Sequence, residues 1–296
     1  MYRKLLMVSL ALVLAACQGA PVFGPTPTPF PDQFEGKATV SEHTLPIWCE
    51  GSGEPTIILE NGFGDGRVWT KVDNARFSKI TRTCYYDRLG IATHVTFAEP
   101  RTVMDQVKEL HTLLQQTGVP GPYILVGALG GANNLILYSN QYPQDVAGLV
   151  VVQPWYPTFY DYYLGKLGPV MTGTSAQRKA EIQFVTDYKV KKVMTWDTHP
   201  EFLDQVASEA QVLTVASLKD VPLTIVESEI FYNSFSEAEM NQINTDSVKE
   251  SNQDFCKLSR NCRMVMVPGT DLLSIAYNRG VDKAIQEMYD AVKSGQ

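Results

Sequence analysis

The residues best placed to do chemistry lie in two short stretches. Tyr123-Ile124-Leu125-Val126-Gly127-Ala128-Leu129-Gly130-Gly131 reads as a buried strand running into a sharp turn. Its glycines are spaced as in G-x-S-x-G, the strand-turn-helix that exposes a serine hydroxyl as a nucleophile. Such a hydroxyl attacks only when an imidazole takes its proton and a carboxylate orients that imidazole. The serine slot here holds Leu129, which can neither attack nor be activated. The second stretch, Met264-Val265-Met266-Val267-Pro268-Gly269-Thr270-Asp271-Leu272, reads as the last core strand and the loop that would deliver the histidine. Leu272 fills that slot and can neither accept nor return a proton. The nearest acid is Glu229, beyond a strand ending at Val226, though its residue type and place read more readily as an exposed loop carboxylate. Ser228, Thr270 and Asp271 flank loops at the same end and are the candidates for a displaced nucleophile.

Positioning such groups requires a sheet. Strand-like runs fall at Thr44 to Cys49, Thr56 to Glu60, Thr83 to Tyr86, Tyr123 to Val126, Gly148 to Val152, Leu223 to Val226 and Arg263 to Val267. Several are continuous apolar stretches, as suits strands covered on both faces. Helical patterns alternate with them at Thr102 to Gln116, Ala132 to Gln141, part of Ser236 to Leu258, and Asn278 to Val292. The alternation predicts an α/β fold, a mostly parallel central sheet flanked by helices. Between Pro154 and Asp220 the core strands pause, which predicts a cap insertion over about residues 154–220. Its aromatic cluster (Trp155, Tyr156, Phe159, Tyr160, Tyr162, Tyr163) can line a pocket, pack the cap on the core, or do both. Of the histidines, His43 falls at the sheet edge by pattern and His111 in a helix. His94, in a loop, and His199, in the cap, have no obvious serine, cysteine or threonine partner.

The amino terminus points to export. Arg3 and Lys4 precede an apolar run from Leu5 to Leu14, the layout of a secretory signal. Leu14-Ala15-Ala16-Cys17 resembles a bacterial lipobox, so residues 1–16 are expected to be removed and Cys17 to carry lipid, holding the chain to a membrane of the cell envelope without a spanning helix. The prolines at 21, 25, 27, 29 and 31 predict an extended tether over residues 17–34, with the folded domain over 35–296. Losing Arg3 and Lys4 leaves 23 basic residues against 32 acidic, a net charge of −9, which argues against a nucleic-acid partner. Four further cysteines, Cys49, Cys84, Cys256 and Cys262, permit three disulfide pairings. Proximity of the elements favours Cys49 with Cys84 and Cys256 with Cys262. No histidine lies at ligand spacing from these cysteines, so neither a metal nor another cofactor is expected.

Four blocks in order, Ile57-Ile58-Leu59-Glu60-Asn61-Gly62-Phe63-Gly64, Tyr85-Tyr86-Asp87-Arg88-Leu89-Gly90, Gly121 to Gly127 and Tyr142 to Val150, resemble the α/β-hydrolase family over most of residues 40–295. The resemblance implies a nucleophile elbow at Leu129 and an oxyanion hole donated by the backbone N–H groups of Phe63, after Asn61-Gly62, and of Gly130. The Asn61-Gly62 segment also reads simply as a tight turn after a strand. The resemblance further places Gln153 at an alternative position for the acid.

Three functions follow. The first is a membrane-anchored, catalytically degenerate member that binds a small-molecule or acyl ligand, or a protein partner, at the old pocket. The second is an active ester or amide hydrolase with a displaced nucleophile, and the third is a surface scaffold with a collapsed pocket.

Overall fold

The computed structural model describes residues 29–63, 68–91, 95–167, 201–230, 238–271 and 274–295, with a few positions between 176 and 187. Cys17 and the signal, most of the tether, Gly64, His94, His199 and Leu272 lie outside the described residues. Eight strands form one sheet: β1 (Gln33–Val40), β2 (His43–Glu50), β3 (Thr56–Glu60), β4 (Thr83–Tyr86), β5 (Tyr123–Ala128), β6 (Val146–Val152), β7 (Leu223–Ile230) and β8 (Cys262–Asp271), in the order β1-β2-β4-β3-β5-β6-β7-β8. β2 runs antiparallel to β1 and β4, and every other neighbouring pair is parallel. Parallel strands need crossovers, and helices supply them. The described helices are α1 (Lys71–Phe77), α2 (Val103–Thr117), α3 (Gly131–Gln141), α4 (Phe159–Leu167), α5 (Gln205–Leu213), α6 (Ala238–Cys256) and α7 (Arg279–Ser294).

Alternate residues of the central strands serve two cores. Ile57, Leu59, Ile124, Val126, Val150 and Val152 pack with Phe77 of α1 and with Val281, Ala284, Ile285 and Met288 of α7. The pleat turns Ile58, Leu125, Val151 and Ile225 to the other face, and all four are fully buried. There α2 and α3 pack on each other, α2 also against β1 and α3 against β3, β5 and β6.

The sequence pattern misses β1, which opens at Gln33, two residues inside the stretch read as tether. Only Gly36, Ala38 and Val40 of β1 are buried, so this strand has one solvated face and few large apolar residues to reveal it. The helix α1 is also missed, since seven residues are too few for a helical period to show. Both β7 and β8 run about four residues beyond the apolar cores that mark them.

Both favoured cysteine pairs are disulfides. Cys49–Cys84 joins directly opposed residues of β2 and β4, and Cys256–Cys262 closes the turn from α6 into β8. Pro31–Gln296 forms one compact unit. Within it α4 packs through Phe159, Tyr160, Tyr163 and Leu167 onto Met240, Ile243 and Val248 of α6. No helix among the described residues is long and apolar enough to cross a membrane.

Candidate functional site

Leu129 sits between the end of β5 and the start of α3 with φ of +50°, the left-handed region that a branched side chain rarely occupies. The backbone holds it there. Its N–H donates to the Val152 carbonyl at 3.0 Å, and its carbonyl accepts from the N–H of Ala132 and of Trp155, each at 3.2 Å. The turn is tight enough to exclude side chains at the next two positions. A Cβ on Gly130 would fall on the Phe63 ring, and one on Gly131 on the Asn61 carbonyl oxygen. At the end of the adjacent strand, Gln153 is also left-handed, with φ of +48°. Its amide nitrogen donates to the Ser228 hydroxyl, and its amide oxygen accepts the Ser228 N–H at 2.9 Å. An amide thus bridges β6 and β7 at that corner, and Ser228 is buried against a group that cannot take its proton.

Below this crest lies a buried polar network. Arg88 donates through Nη1 to Glu60 Oε1 and to the Asn61 carbonyl (2.7 Å), through Nη2 to the Gly62 carbonyl, and through Nε to Glu201 Oε1 (2.6 Å). Tyr86 donates to Glu60, Asn134 to Glu60 Oε1 (2.8 Å) and to Gln106 (3.0 Å), and Gln106 to Glu201 (2.9 Å). Glu60 and Glu201 are fully buried and Arg88 is 3% exposed. Burial pushes the Glu60 carboxyl above its usual range, with Arg88 and the Tyr86 hydroxyl pulling the other way. Burial works against the Arg88 charge, but Glu201 and Glu60 together outweigh it and hold the guanidinium above its ordinary value. Burial and the neighbouring Glu60 raise the Tyr86 hydroxyl well above the usual phenol range.

The network aims the loop above it. Asn61 Oδ1 accepts the N–H groups of Val68 (2.9 Å) and Trp69 (2.7 Å), while Arg88 grips the carbonyls of Asn61 and Gly62. A trans peptide points its N–H opposite its carbonyl. With the Gly62 oxygen turned to Arg88, the Phe63 N–H is directed away from it. Among the described residues neither the Phe63 nor the Gly130 N–H has a hydrogen-bond partner. Glu60, Arg88, Gln106, Asn134 and Glu201 are the functional residues that sequence reasoning misses. The signal was a lone acid ending the apolar run Ile57-Ile58-Leu59 and the arginine of Asp87-Arg88, quoted above only as marks of resemblance.

The remaining candidates disperse. Glu229 lies within β7 rather than in a loop, is exposed, and accepts the Gly269 N–H of β8 at 2.8 Å, which joins the two strand ends. Thr270 is buried and donates to the Val267 carbonyl, and Asp271 is exposed and accepts the Ser274 N–H. His111 stacks on Tyr142 with ring centres 3.7 Å apart, and His43 opens β2. Of the aromatic run, Phe159, Tyr160 and Tyr163 pack α4 on α6, and Tyr156 stacks on Phe255. Trp155 stays 39% exposed, and its backbone is bonded to Leu129. Among the described residues no group of three or more His, Cys, Asp or Glu can hold a metal ion. Among the described residues the crest thus holds two backbone N–H groups without a partner, a hydrocarbon side chain and an exposed indole. Among the described residues it offers neither an activated nucleophile nor an imidazole beside one.

No family model matches the sequence. The uncharacterized protein YqjL of Bacillus subtilis (strain 168) is 32% identical over 105 residues, covering 36% of this chain and 42% of that protein. The chain thus spans less than half the length of this relative. The uncharacterized protein YbdG of the same organism is 21% identical over 258 residues, covering 73% of this chain and 79% of that one. Among solved structures, an esterase from Thermogutta terrifontis superposes with a TM-score of 0.52 at 15% identity, covering 88% of this chain and 99% of its own. Alpha/beta hydrolase domain-containing protein 10 from mouse superposes with a TM-score of 0.58 at 14% identity, covering 89% and 100%. With its strand order, its crossovers and the left-handed turn after β5, the chain has the α/β-hydrolase fold.

Proposed function

We propose that the mature chain is an exported, lipid-anchored protein of this fold that binds a small carbonyl- or carboxylate-bearing ligand, such as an acyl compound, beside Leu129 without hydrolysing it. The observation that carries this reading is the pairing of Leu129 at the left-handed turn with the intact donor loop 61–63 held by Arg88. Binding an oxygen needs only the aimed N–H groups. Turnover needs the nucleophile and base as well, and losing either lowers rates by several orders of magnitude. The lipobox-like Leu14-Ala15-Ala16-Cys17 and the two disulfides support export and anchoring.

The test is an esterase assay with activated short-chain esters on the mature domain and on the Leu129→Ser, Leu272→His double variant. The parent is expected to be inert, and a covalent serine-hydrolase reagent is expected to leave it unlabelled. Turnover by the parent that disappears on mutating Ser228 or Thr270 would establish the displaced-nucleophile hydrolase instead. Cys17→Ala is expected to release the chain from the membrane fraction.

One observation favours the scaffold reading: the Phe63 ring lies against Gly130 and narrows the space above the turn. Melting against a panel of short- and medium-chain carboxylates separates the two. A ligand at a hundred times its Kd stabilises the native state by about 2.7 kcal/mol. No shift across the panel would mean that the crest is closed.

A further inference from the structure

We propose that the cleft between α1 and α7 is a binding site for a phosphate-bearing anion, either free or carried by a lipid headgroup. The cleft has a volume of about 480 Å³ and is lined by Arg76, Phe77, Lys79, Ile80, Arg279, Asp282, Lys283 and Gln286. Four cations and one carboxylate thus share one concavity on a chain whose net charge is −7.

The four cations are not equivalent. Arg76 is spent on structure: it donates to the Ala276 carbonyl at 3.0 Å and the Asn278 carbonyl at 3.4 Å, pairs with Asp282, and lies 3.5 Å from Asp73. Through these bonds it ties α1 to the start of α7 and fixes the two walls. Lys283 is 77% exposed and its amine lies 3.7 Å from Glu287, a loose surface pair. Among the described residues Lys79 and Arg279 have no ion-pair partner, and both are exposed. The pinned walls therefore bring Lys79, from one side, and Arg279 and Lys283, from the other, to a common rim. An anion in the cleft would thus meet cations from both walls.

The donor set selects the anion. One guanidinium can satisfy a carboxylate, whereas a phosphate spreads its charge over several oxygens and uses donors converging from several directions. Two ammonium groups and one guanidinium line the cleft from its two walls, while the Gln286 amide is already donated to Asp290 at 2.9 Å. The space exceeds what inorganic phosphate fills, and the partly buried Ile80 offers an apolar contact to an attached organic group. The site borrows nothing from the turn at Leu129, so it stands or falls apart from the function proposed above.

Calorimetry on the full chain in detergent tests it with two probes: inorganic phosphate, and dihexanoyl phosphatidylglycerol below its micelle concentration. Saturable 1:1 binding of either probe is expected, weakened by added salt. Lys79→Ala with Arg279→Ala is expected to weaken it about tenfold or more. A control pair of exposed lysines elsewhere, Lys108→Ala with Lys293→Ala, is expected to leave it within about twofold. Tighter binding of the lipid assigns the site to headgroups, and tighter binding of phosphate to a soluble phosphate. The absence of saturable binding to either probe, or equal weakening in the two double variants, would overturn the proposal.

Discussion

At the carboxyl ends of β3 and β4, Glu60, Tyr86 and Arg88 are buried and bonded to one another and to Gln106, Asn134 and Glu201. At the ends of β5 and β6, a few ångströms of sheet away, the corresponding positions hold a hydrocarbon and an amide, Leu129 and Gln153, both forced into left-handed backbone. The floor keeps charges where burying them is costly, whereas the two left-handed crest positions carry none. Buried ion pairs are retained without hazard only when nearly every lone pair and proton is satisfied. The floor meets that condition by gripping the backbone of residues 61–62. The crest keeps the shape of a reaction site through backbone bonds alone. The proposed binding function rests on this contrast.

The largest test of this contrast is Arg88→Ala. It strands Glu60 and Glu201 in the core and should destabilise the fold by about 3–5 kcal/mol, read by denaturant unfolding. A loss near zero would mean that the floor does not support the loop. Next is Cys49→Ala with Cys84→Ala, which unties β2 from the strand that leads to Tyr86 and Arg88. Releasing a bridge across 35 residues should cost roughly 2–4 kcal/mol, and more than releasing Cys256–Cys262 across 6. Equal losses would remove any special weight from the β2–β4 clamp.

A smaller effect comes from pH. Burial raises Glu60 and, on β7, Glu227, where the Asn252 amide and Lys249 partly compensate. A carboxyl whose folded value is raised favours the folded state when protonated. That stability is fully present below the ordinary carboxylate range and is lost as pH rises through the raised values. Unfolding midpoints should therefore fall across that window, and Glu227→Gln should flatten the fall. An unchanged slope in Glu227→Gln would show that Glu227 takes no part in it. The smallest effect is expected at the crest. Leu129→Gly relieves about 1–2 kcal/mol of left-handed strain while losing the packing of a partly buried side chain against the core, so its net effect should stay within about 1 kcal/mol. A loss like that of a core leucine, about 2–5 kcal/mol, would make Leu129 a packing residue instead.

Reading residues in isolation reached the crest better than the floor. The run Tyr123 to Val126 followed by Gly127, Gly130 and Gly131 is local, and local sterics suffice to make a strand end in a tight turn before a helix. The placing of Glu229 in a loop differs from the structure because β7 continues beyond its apolar core, and strand ends held by hydrogen bonds carry no hydrophobic mark. Gln153 was legible only by resemblance, and its lock on Ser228 joins residues 75 apart.

By itself the sequence determined the alternation of strands and helices, the glycine turn, the closeness of Cys256 to Cys262 and the placing of leucine at the centre of that turn. Each of these depends on neighbours along the chain or on the period of a single element. Only the tertiary structure decided that Glu60, Arg88 and Glu201 share one buried network, with Arg88 and Glu201 separated by 113 residues. No local pattern distinguishes an arginine bound for the core from one bound for solvent. Its partners arrive only when the sheet has closed.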